Sequence, residues 1–237
     1  MISKLLFSAL FLFSVGASAQ TSVGEGRGNV PVSKPAVSIL GDSYSTFDGY
    51  LTPSTNETWY YQGNRGNSDL NDVTQTWWWQ FINDNGFKLC VNNSWSGATI
   101  SYYGYDGNDY SPRSFITRSD NLGCPDIILI FGGTNDSWAG APIGEYKYDN
   151  LRRDDFFYYR PALAYLLQHT QKRYPGVAIY FIINDGLSNE VTQSTQTICD
   201  HYGVKYIQLR DIHKQSGHPD RVGMQQIAQQ LKAVICP

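Results

Sequence analysis

The sequence predicts an α/β fold in which a doubly wound, mostly parallel five-stranded sheet carries helices on both faces. Short apolar runs alternate along the chain with amphipathic stretches of helical length. One run, Ile127–Phe131, is apolar at every position, which is typical of a parallel strand buried on both faces. No internal repeat or interior linker interrupts this alternation, so residues 35–237 are expected to form one three-layer sandwich.

Five runs are predicted to be strands and four stretches are predicted to be helices. The strands are expected at Ala36–Leu40, Lys88–Asn92, Ile127–Phe131, Val177–Ile183 and Lys205–Gln208. The helices are expected at Trp77–Asn85, Asp155–Tyr174, Ser188–Tyr202 and Arg221–Ile235. Pro161 falls in the first turns of the second helix, where proline is tolerated. The Trp77-Trp78-Trp79 triplet begins the first helix, so at least one of its rings should face the core.

The charge balance argues against two classes of partner. The 237 residues include 18 Lys and Arg against 21 Asp and Glu, for a formal net charge of −3. This balance offers no electrostatic basis for binding nucleic acid or an anionic membrane surface. An aromatic content of 14% is also too high for a chain that is disordered as a whole.

The N-terminus has the pattern of a secretory signal peptide. Lys4 precedes the apolar run Leu5–Val15, and the small residues Ala17-Ser18-Ala19 precede Gln20. We expect residues 1–19 to be cleaved after Ala19, residues 20–34 to form a flexible leader, and the mature protein to be secreted or periplasmic. An uncleaved amphipathic start is the alternative. The run is too short to span a bilayer comfortably, and no later segment could do so.

Export would permit disulfides among Cys90, Cys124, Cys199 and Cys236, which allow three complete pairings. Cys199 and Cys236 each end a predicted helix, so we favour a bridge between them, and Cys90 could be a buried thiol in its strand. No Cys-x-x-Cys pair is present, and no metal or cofactor is expected.

Polar residues that can perform chemistry follow three of the predicted strands. Ser43 comes directly after the first strand, at the edge where open α/β sheets place their ligand sites. A serine hydroxyl needs a base to take its proton and donors to stabilise an oxyanion. Gly97 and Asn135 follow the second and third strands and could be donors, and His218 precedes the last helix and could be the base. Structural alternatives are a helix cap for Ser43, turn positions for Gly97 and Asn135, and a surface site for His218.

These segments resemble, in order, the motif blocks of the SGNH (GDSL) hydrolase superfamily. Gly41-Asp42-Ser43 matches the nucleophile block, Gly97 the second block, Gly132–Asn135 the Gly-x-x-Asn block, and His218 the last block, which continues to Gly223-Met224. The resemblance implies an SGNH-type sandwich and an esterase in which Ser43 is the nucleophile and His218 the base. It also implies an oxyanion hole made by the Ser43 and Gly97 backbone N–H groups and the Asn135 amide. The Gly-x-Ser-x-Gly elbow of ordinary α/β hydrolases is absent.

One position departs from the family pattern. The family usually has an aspartate three residues before the histidine, but here that residue is Gln215. A Ser–His dyad, a carbonyl oxygen near Gln215, or a relocated carboxylate from Asp211 or Asp220 could replace it, and an inactive enzyme is the remaining alternative.

Aromatic residues flank the motif blocks and suggest a substrate class. Rings beside a polar mouth suit the apolar faces of sugars, although the same rings could instead pack the long loops Tyr44–Thr76 and Ser101–Asn121 onto the domain. The residues are Trp59, Tyr60, Tyr61, Tyr102, Tyr103, Tyr105, Tyr110 and Trp138. We therefore expect a small ester or an acylated glycan, most of all an O-acetylated one, as substrate. A lipid or thioester hydrolase and a non-catalytic carbohydrate-binding protein are the alternative functions.

The other histidines are given no catalytic role. His169, His201 and His213 are expected to be structural or solvent-facing.

Overall fold

Five parallel strands form the central sheet of the computed structural model, which describes residues 33–63 and 68–236. The strands are β1 Ala36–Gly41, β2 Lys88–Ser94, β3 Ile127–Phe131, β4 Ala178–Ile183 and β5 Lys205–Gln208, in the order β2-β1-β3-β4-β5. All four neighbouring pairs are parallel. The expected sheet is therefore present, and each predicted strand lies within one or two residues of its observed bounds. The predicted signal peptide and all but the end of the leader lie outside the described residues.

Six helices surround the sheet, four of which were predicted. They are α1 Trp77–Asp84, α2 Phe115–Arg118, α3 Thr134–Trp138, α4 Tyr159–Arg173, α5 Asn189–Tyr202 and α6 Arg221–Ile235, among the residues that the structure describes. Helix α4 begins four residues later than expected, because Tyr158 is extended and separates it from a 3₁₀ segment at Arg153–Phe157. A two-residue hairpin, β6 Lys214–Gln215 with β7 His218–Pro219, precedes α6 and was not predicted.

The sheet separates two hydrophobic cores. Helices α4 and α5 pack on one face, for example through Leu163 and Ile198. Helices α1 and α6 pack on the other face, where Trp77 and Trp78 are fully buried. Two rings of the tryptophan triplet therefore face the core. No helix in the described ranges is long and apolar enough to cross a membrane.

The expected Cys199–Cys236 bridge is wrong. Cys199 is fully buried on α5, whereas Cys236 ends α6 and packs with the core on the opposite face of the sheet. Both thiols are free, as are Cys90 and Cys124. Burial raises the pKa of the Cys199 thiol to about 12, so this residue behaves as a small apolar side chain. The sequence could not show which face each helix covers.

The strand order places the motif segments at one crevice. In a sheet of order 2-1-3-4-5, the chain leaves β1 and β3 towards opposite faces, and ligands bind outside the carboxyl ends of these strands. The turn that contains Ser43 follows β1, and the segment that contains Asn135 follows β3. A surface cavity of about 420 Å³ lies at the opposite end, beside the first residues of β4 and β5, and is remote from these residues.

Candidate active site

The turn after β1 presents Ser43 at the end of the sheet. Asp42 caps a 3₁₀ turn over Ser43–Ser45 by accepting a hydrogen bond of 3.0 Å from the Tyr44 backbone N–H. A side chain at Gly41 would come within 2.6 Å of Ser45 and Ser94. Glycine is therefore required there, because the turn folds back against the end of β2. The Ser43 side chain is almost fully buried in this turn.

The β6–β7 hairpin brings His218 to Ser43. The His218 Nε2 atom lies 2.9 Å from the Ser43 Oγ atom. Ser216 and Gly217 connect the two strands with φ values of 51° and 78°, which is the conformation of a tight hairpin turn. The hydroxyl of Tyr44 donates to the Gly217 carbonyl at 2.6 Å, so the turn after β1 also anchors the hairpin.

A backbone carbonyl, not a carboxylate, is the partner of the second ring nitrogen of His218. Its Nδ1 atom lies 3.3 Å from the carbonyl oxygen of Ser216. Asp220 instead contacts Nδ1 of His213 and caps α6 by accepting from the Gly223 N–H at 2.9 Å. No described hydrogen bond or ion pair joins a carboxylate to His218. Of the arrangements open from the sequence, the geometry matches a dyad assisted by a carbonyl near Gln215.

Aromatic rings enclose His218. Trp59 stacks on the imidazole with ring centroids 3.7 Å apart and planes inclined by 8°. Tyr44 and Trp138 approach at 5.2 and 5.8 Å with strongly tilted rings. Tyr60 lies at 6.5 Å and donates to the Pro219 carbonyl at 2.7 Å. This enclosure places the imidazole in apolar surroundings.

The pKa of His218 is lowered to about 4, chiefly by burial; the hydrogen bond to the Ser216 carbonyl opposes this shift, and the Lys214 ammonium adds to it. A neutral imidazole is the form that can accept the hydroxyl proton of Ser43. His218 is therefore in the form of a base at neutral pH and well below it.

Donor groups face the space in front of Ser43. The backbone N–H groups of Ser43 and Gly97 have no acceptor among the described hydrogen bonds, and Gly97 adopts a φ of 76°. The Asn135 Nδ2 atom uses one hydrogen to bond the Ala98 carbonyl at 2.9 Å, which leaves its second hydrogen for another acceptor. The Tyr105 hydroxyl donates to Asn135 Oδ1 at 2.8 Å and fixes the amide. No sequence pattern indicated this role for Tyr105.

Two buried charged residues hold the segments that carry these donors. Asp136 accepts from the Ile100 N–H at 2.8 Å and the Ser101 N–H at 2.9 Å, so it fixes the chain that follows Gly97. Burial raises the pKa of Asp136 to about 6. Arg118 donates to the Gly41 carbonyl at 3.1 Å and contacts the Asn93 carbonyl, tying together the ends of β1 and β2. Asp136 adjoins the Asn135 motif, whereas no pattern distinguished Arg118.

The remaining aromatic and histidine residues serve mostly structural roles. Tyr102 is buried against Phe156 and Phe157, and Tyr60 is buried as described, so neither can meet a sugar. Trp138 is 45% exposed at the mouth. His169 pairs with Asp120, His201 stacks on Tyr148, and His213 pairs with Asp220. Within the described ranges no cluster of three or more His, Cys, Asp or Glu residues could hold a metal ion.

A parallel sheet with a serine, a histidine and an asparagine amide gathered at its carboxyl edge defines the class of SGNH ester hydrolases. A family model described as GDSL-like Lipase/Acylhydrolase matches residues 35–235. The chain belongs to this family. No curated protein matches the chain closely enough to add to this finding.

Two solved structures are similar to nearly the whole domain. A protein of Bacteroides ovatus named as a GDSL-like lipase is 56% identical, with a TM-score of 0.85, over 86% of this chain and 98% of its own. A similarly named protein of Bacteroides uniformis is 53% identical, with a TM-score of 0.84, over 86% of this chain and 96% of its own. This similarity extends the family assignment to the three-dimensional structure.

A more distant structure shares only the fold. A family two carbohydrate esterase from Clostridium thermocellum, in complex with cellohexaose, is 15% identical with a TM-score of 0.59. The similarity covers 85% of this chain and 63% of that one. The expected α/β sandwich is thus confirmed by near and distant structures alike.

Proposed function

We propose that this chain is an exported serine esterase that removes small acyl groups, above all acetyl, from carbohydrate. The observation that carries the catalytic part is the 2.9 Å contact between Ser43 Oγ and His218 Nε2, beside backbone donors for which the described residues supply no acceptor. Export is supported by the signal-like pattern of residues 1–19.

The proposed reaction has two balanced halves. Ser43 Oγ attacks the ester carbonyl while His218 Nε2 takes the hydroxyl proton, and the Ser43, Gly97 and Asn135 donors stabilise the oxyanion. The intermediate collapses as His218 passes the proton to the leaving alcohol. Water then attacks the acyl-serine, again giving a proton to His218, and Ser43 recovers that proton as the carboxylic acid leaves.

The carbohydrate assignment is supported by the mouth of the site. Trp138 exposes 45% of its surface at 5.8 Å from the His218 ring, and a half-exposed indole is a suitable platform for a sugar face. On the side of Gly97, Arg113 lies over the rings of Trp95 and Tyr110 and pairs with Glu57. These polar and aromatic groups can bind hydroxyl-rich alcohols. The fold shared with a cellohexaose-bound carbohydrate esterase agrees with this proposal.

A lipid acyl hydrolase is the second candidate, because the two similar Bacteroides proteins are named as GDSL-like lipases. The two candidates differ in the preferred length of the acyl chain. A series of 4-nitrophenyl esters from acetyl to dodecanoyl separates them: a maximum at acetyl supports the deacetylase, and a maximum at about eight or more carbons supports the lipase.

The test of the nucleophile is fluorophosphonate labelling followed by peptide mapping. We expect one adduct, on Ser43, that disappears in Ser43→Ala and persists in Ser54→Ala, which alters an exposed serine in the long loop that follows Ser43. Folded protein without an adduct would contradict an esterase, and binding of glycan by that protein would instead indicate a non-catalytic carbohydrate-binding protein.

The test of the carbohydrate assignment is Trp138→Ala. We expect kcat/KM for an acetylated oligosaccharide to fall about tenfold, as loss of one aromatic platform implies, while kcat/KM for 4-nitrophenyl acetate changes by less than about twofold. Trp79→Ala, on helix α1, is the matched control. An equal loss for both substrates would contradict a sugar-binding role for Trp138.

A further inference from the structure

Trp59 has a geometry towards His218 that no other described ring shares. Its indole lies parallel to the imidazole at 3.7 Å, with an interplanar angle of 8°. The rings of Tyr44, Tyr60 and Trp138 are inclined to His218 by 55°, 79° and 69°. Trp59 therefore offers the electron-rich face of its π-system to the imidazole, whereas the other three rings are strongly tilted.

One hydroxyl group links Trp59 to the turn that carries the nucleophile. The Thr46 hydroxyl donates to the Ser43 carbonyl at 2.9 Å and accepts from the Trp59 backbone N–H at 2.9 Å. The backbone at Trp59 is thus tied to the turn that carries Ser43. This connection places the residue whose ring stacks on His218 beside the nucleophile turn.

Among the residues that the structure describes, no carboxylate forms a hydrogen bond or ion pair with His218 that could balance the positive charge gained when the ring takes the serine proton. The described partner of its Nδ1 atom is the Ser216 carbonyl at 3.3 Å. The Lys214 ammonium is paired with Asp185 and opposes a charge on His218. Asp220 is engaged with His213. In a triad, an aspartate would stabilise the imidazolium.

We propose that Trp59 is a positioning residue that holds the His218 ring in plane and stabilises its transient imidazolium through a cation–π contact, in place of the missing carboxylate. The proposal rests on the proposed Ser43–His218 mechanism. A cation over an indole face is attracted by the ring quadrupole, most strongly in desolvated sites. Because the resting imidazole is neutral, the attraction strengthens as the proton moves to the ring. It therefore stabilises the transition state more than the ground state and lowers the barrier.

The decisive experiment places tryptophan and its mono-, di- and trifluorinated analogues at position 59 of the full-length protein. Fluorine withdraws electron density from the ring face while preserving its shape. We expect kcat for 4-nitrophenyl acetate to fall with each fluorine, by about tenfold in total, with KM unchanged. The same series at Trp79, which packs on Tyr50 away from the site, should leave kcat constant. A flat series at position 59, or a change in KM alone, would overturn the proposal.

Conventional variants give an independent measurement. Trp59→Phe keeps a ring face and should retain more activity than Trp59→Leu, which should lose up to about thirtyfold in kcat. Equal losses in both variants would show that Trp59 only fills space. Fluorophosphonate labelling separates the two proposals. An unlabelled Ser43 in the wild-type protein would contradict the proposed function. A labelled Ser43 together with a kcat that does not change along the fluorine series would contradict only the role of Trp59.

Discussion

Two histidines at the β6–β7 hairpin have opposite surroundings, His213 directly before β6 and His218 at the start of β7. His213 exposes 63% of its side chain and contacts the carboxylate of Asp220, but it touches no nucleophile. His218, five residues later, contacts Ser43 and is enclosed by rings, with only a carbonyl on its second nitrogen. The histidine that has the carboxylate is therefore not the one beside the serine. Proximity in sequence to an aspartate does not show which histidine is activated, and apolar enclosure keeps the imidazole neutral, whereas a neighbouring carboxylate favours its charged form.

The largest expected effect comes from exchanging each histidine for asparagine. His218→Asn removes the described base that lies 2.9 Å from the Ser43 hydroxyl, so kcat should fall by at least about a thousandfold. His213→Asn should change kcat by less than about threefold, because His213 lies outside the site. Steady-state hydrolysis of 4-nitrophenyl acetate checks both. Similar losses in the two variants would erase the distinction between the histidines.

The second effect is the pH dependence of the wild-type enzyme. His218 must be neutral to act as a base, and burial lowers its pKa from 6.5 to about 4. Activity should therefore persist as the pH falls below 6.5 and disappear only near pH 4. At pH 5, kcat/KM should be about thirtyfold higher than for a histidine of ordinary pKa. A pH profile of kcat/KM measures this, and an acid limb centred near 6.5 would contradict the apolar enclosure.

The third effect would make His218 resemble His213 by supplying a carboxylate. Gln215 lies opposite His218 in the β6–β7 hairpin and is exposed, so the carboxylate introduced by Gln215→Asp can approach the imidazole. An adjacent anion favours the charged ring and should raise its pKa by about one to three units. At pH 5 more of the base would then be protonated, and a rise of about two units would lower the ratio of activity at pH 5 to that at pH 8 by about tenfold. Gln208→Asp, on the exposed side of β5, adds the same charge elsewhere and is the control. An equal fall of the activity ratio in that variant would point to net charge as the cause.

The sequence predicted the scaffold well because long buried runs and amphipathic periods are local properties. All five strands and the four longer helices were found from such patterns. The β6–β7 hairpin escaped because strands of two residues have no period to detect. Helix α3 escaped for a similar reason, since it has only five residues. The pairing of Cys199 with Cys236 was wrong because the face that each helix covers is decided by packing.

The candidate site was predictable in its residue types but not in its contacts. Ser43 and His218 were identified from motif blocks, and the structure brings them together. The partner of His218 Nδ1 could not be predicted from the sequence. It is the backbone carbonyl of Ser216, and every residue has such a carbonyl, so the contact depends on the shape of the hairpin turn. Trp59 belonged to a group of rings that were expected either to face a sugar or to pack the long loops, and its stacking on His218 was not foreseen. Stacking between residues 159 positions apart leaves no trace in a single sequence.

The smallest effect on activity, and the sharpest control, comes from Asp220. Its carboxylate caps α6 through the Gly223 N–H at 2.9 Å and contacts His213. Asp220→Ala loses the cap and should reduce the free energy of unfolding by about 1 kcal/mol, whereas Asp220→Asn keeps a capping oxygen and should lose less. Because Asp220 does not contact His218, kcat should change by less than about twofold in both variants. Urea unfolding and 4-nitrophenyl acetate hydrolysis separate the two roles. A tenfold loss of kcat with stability intact would make Asp220 the relocated partner of His218, and the two histidines would then share one carboxylate.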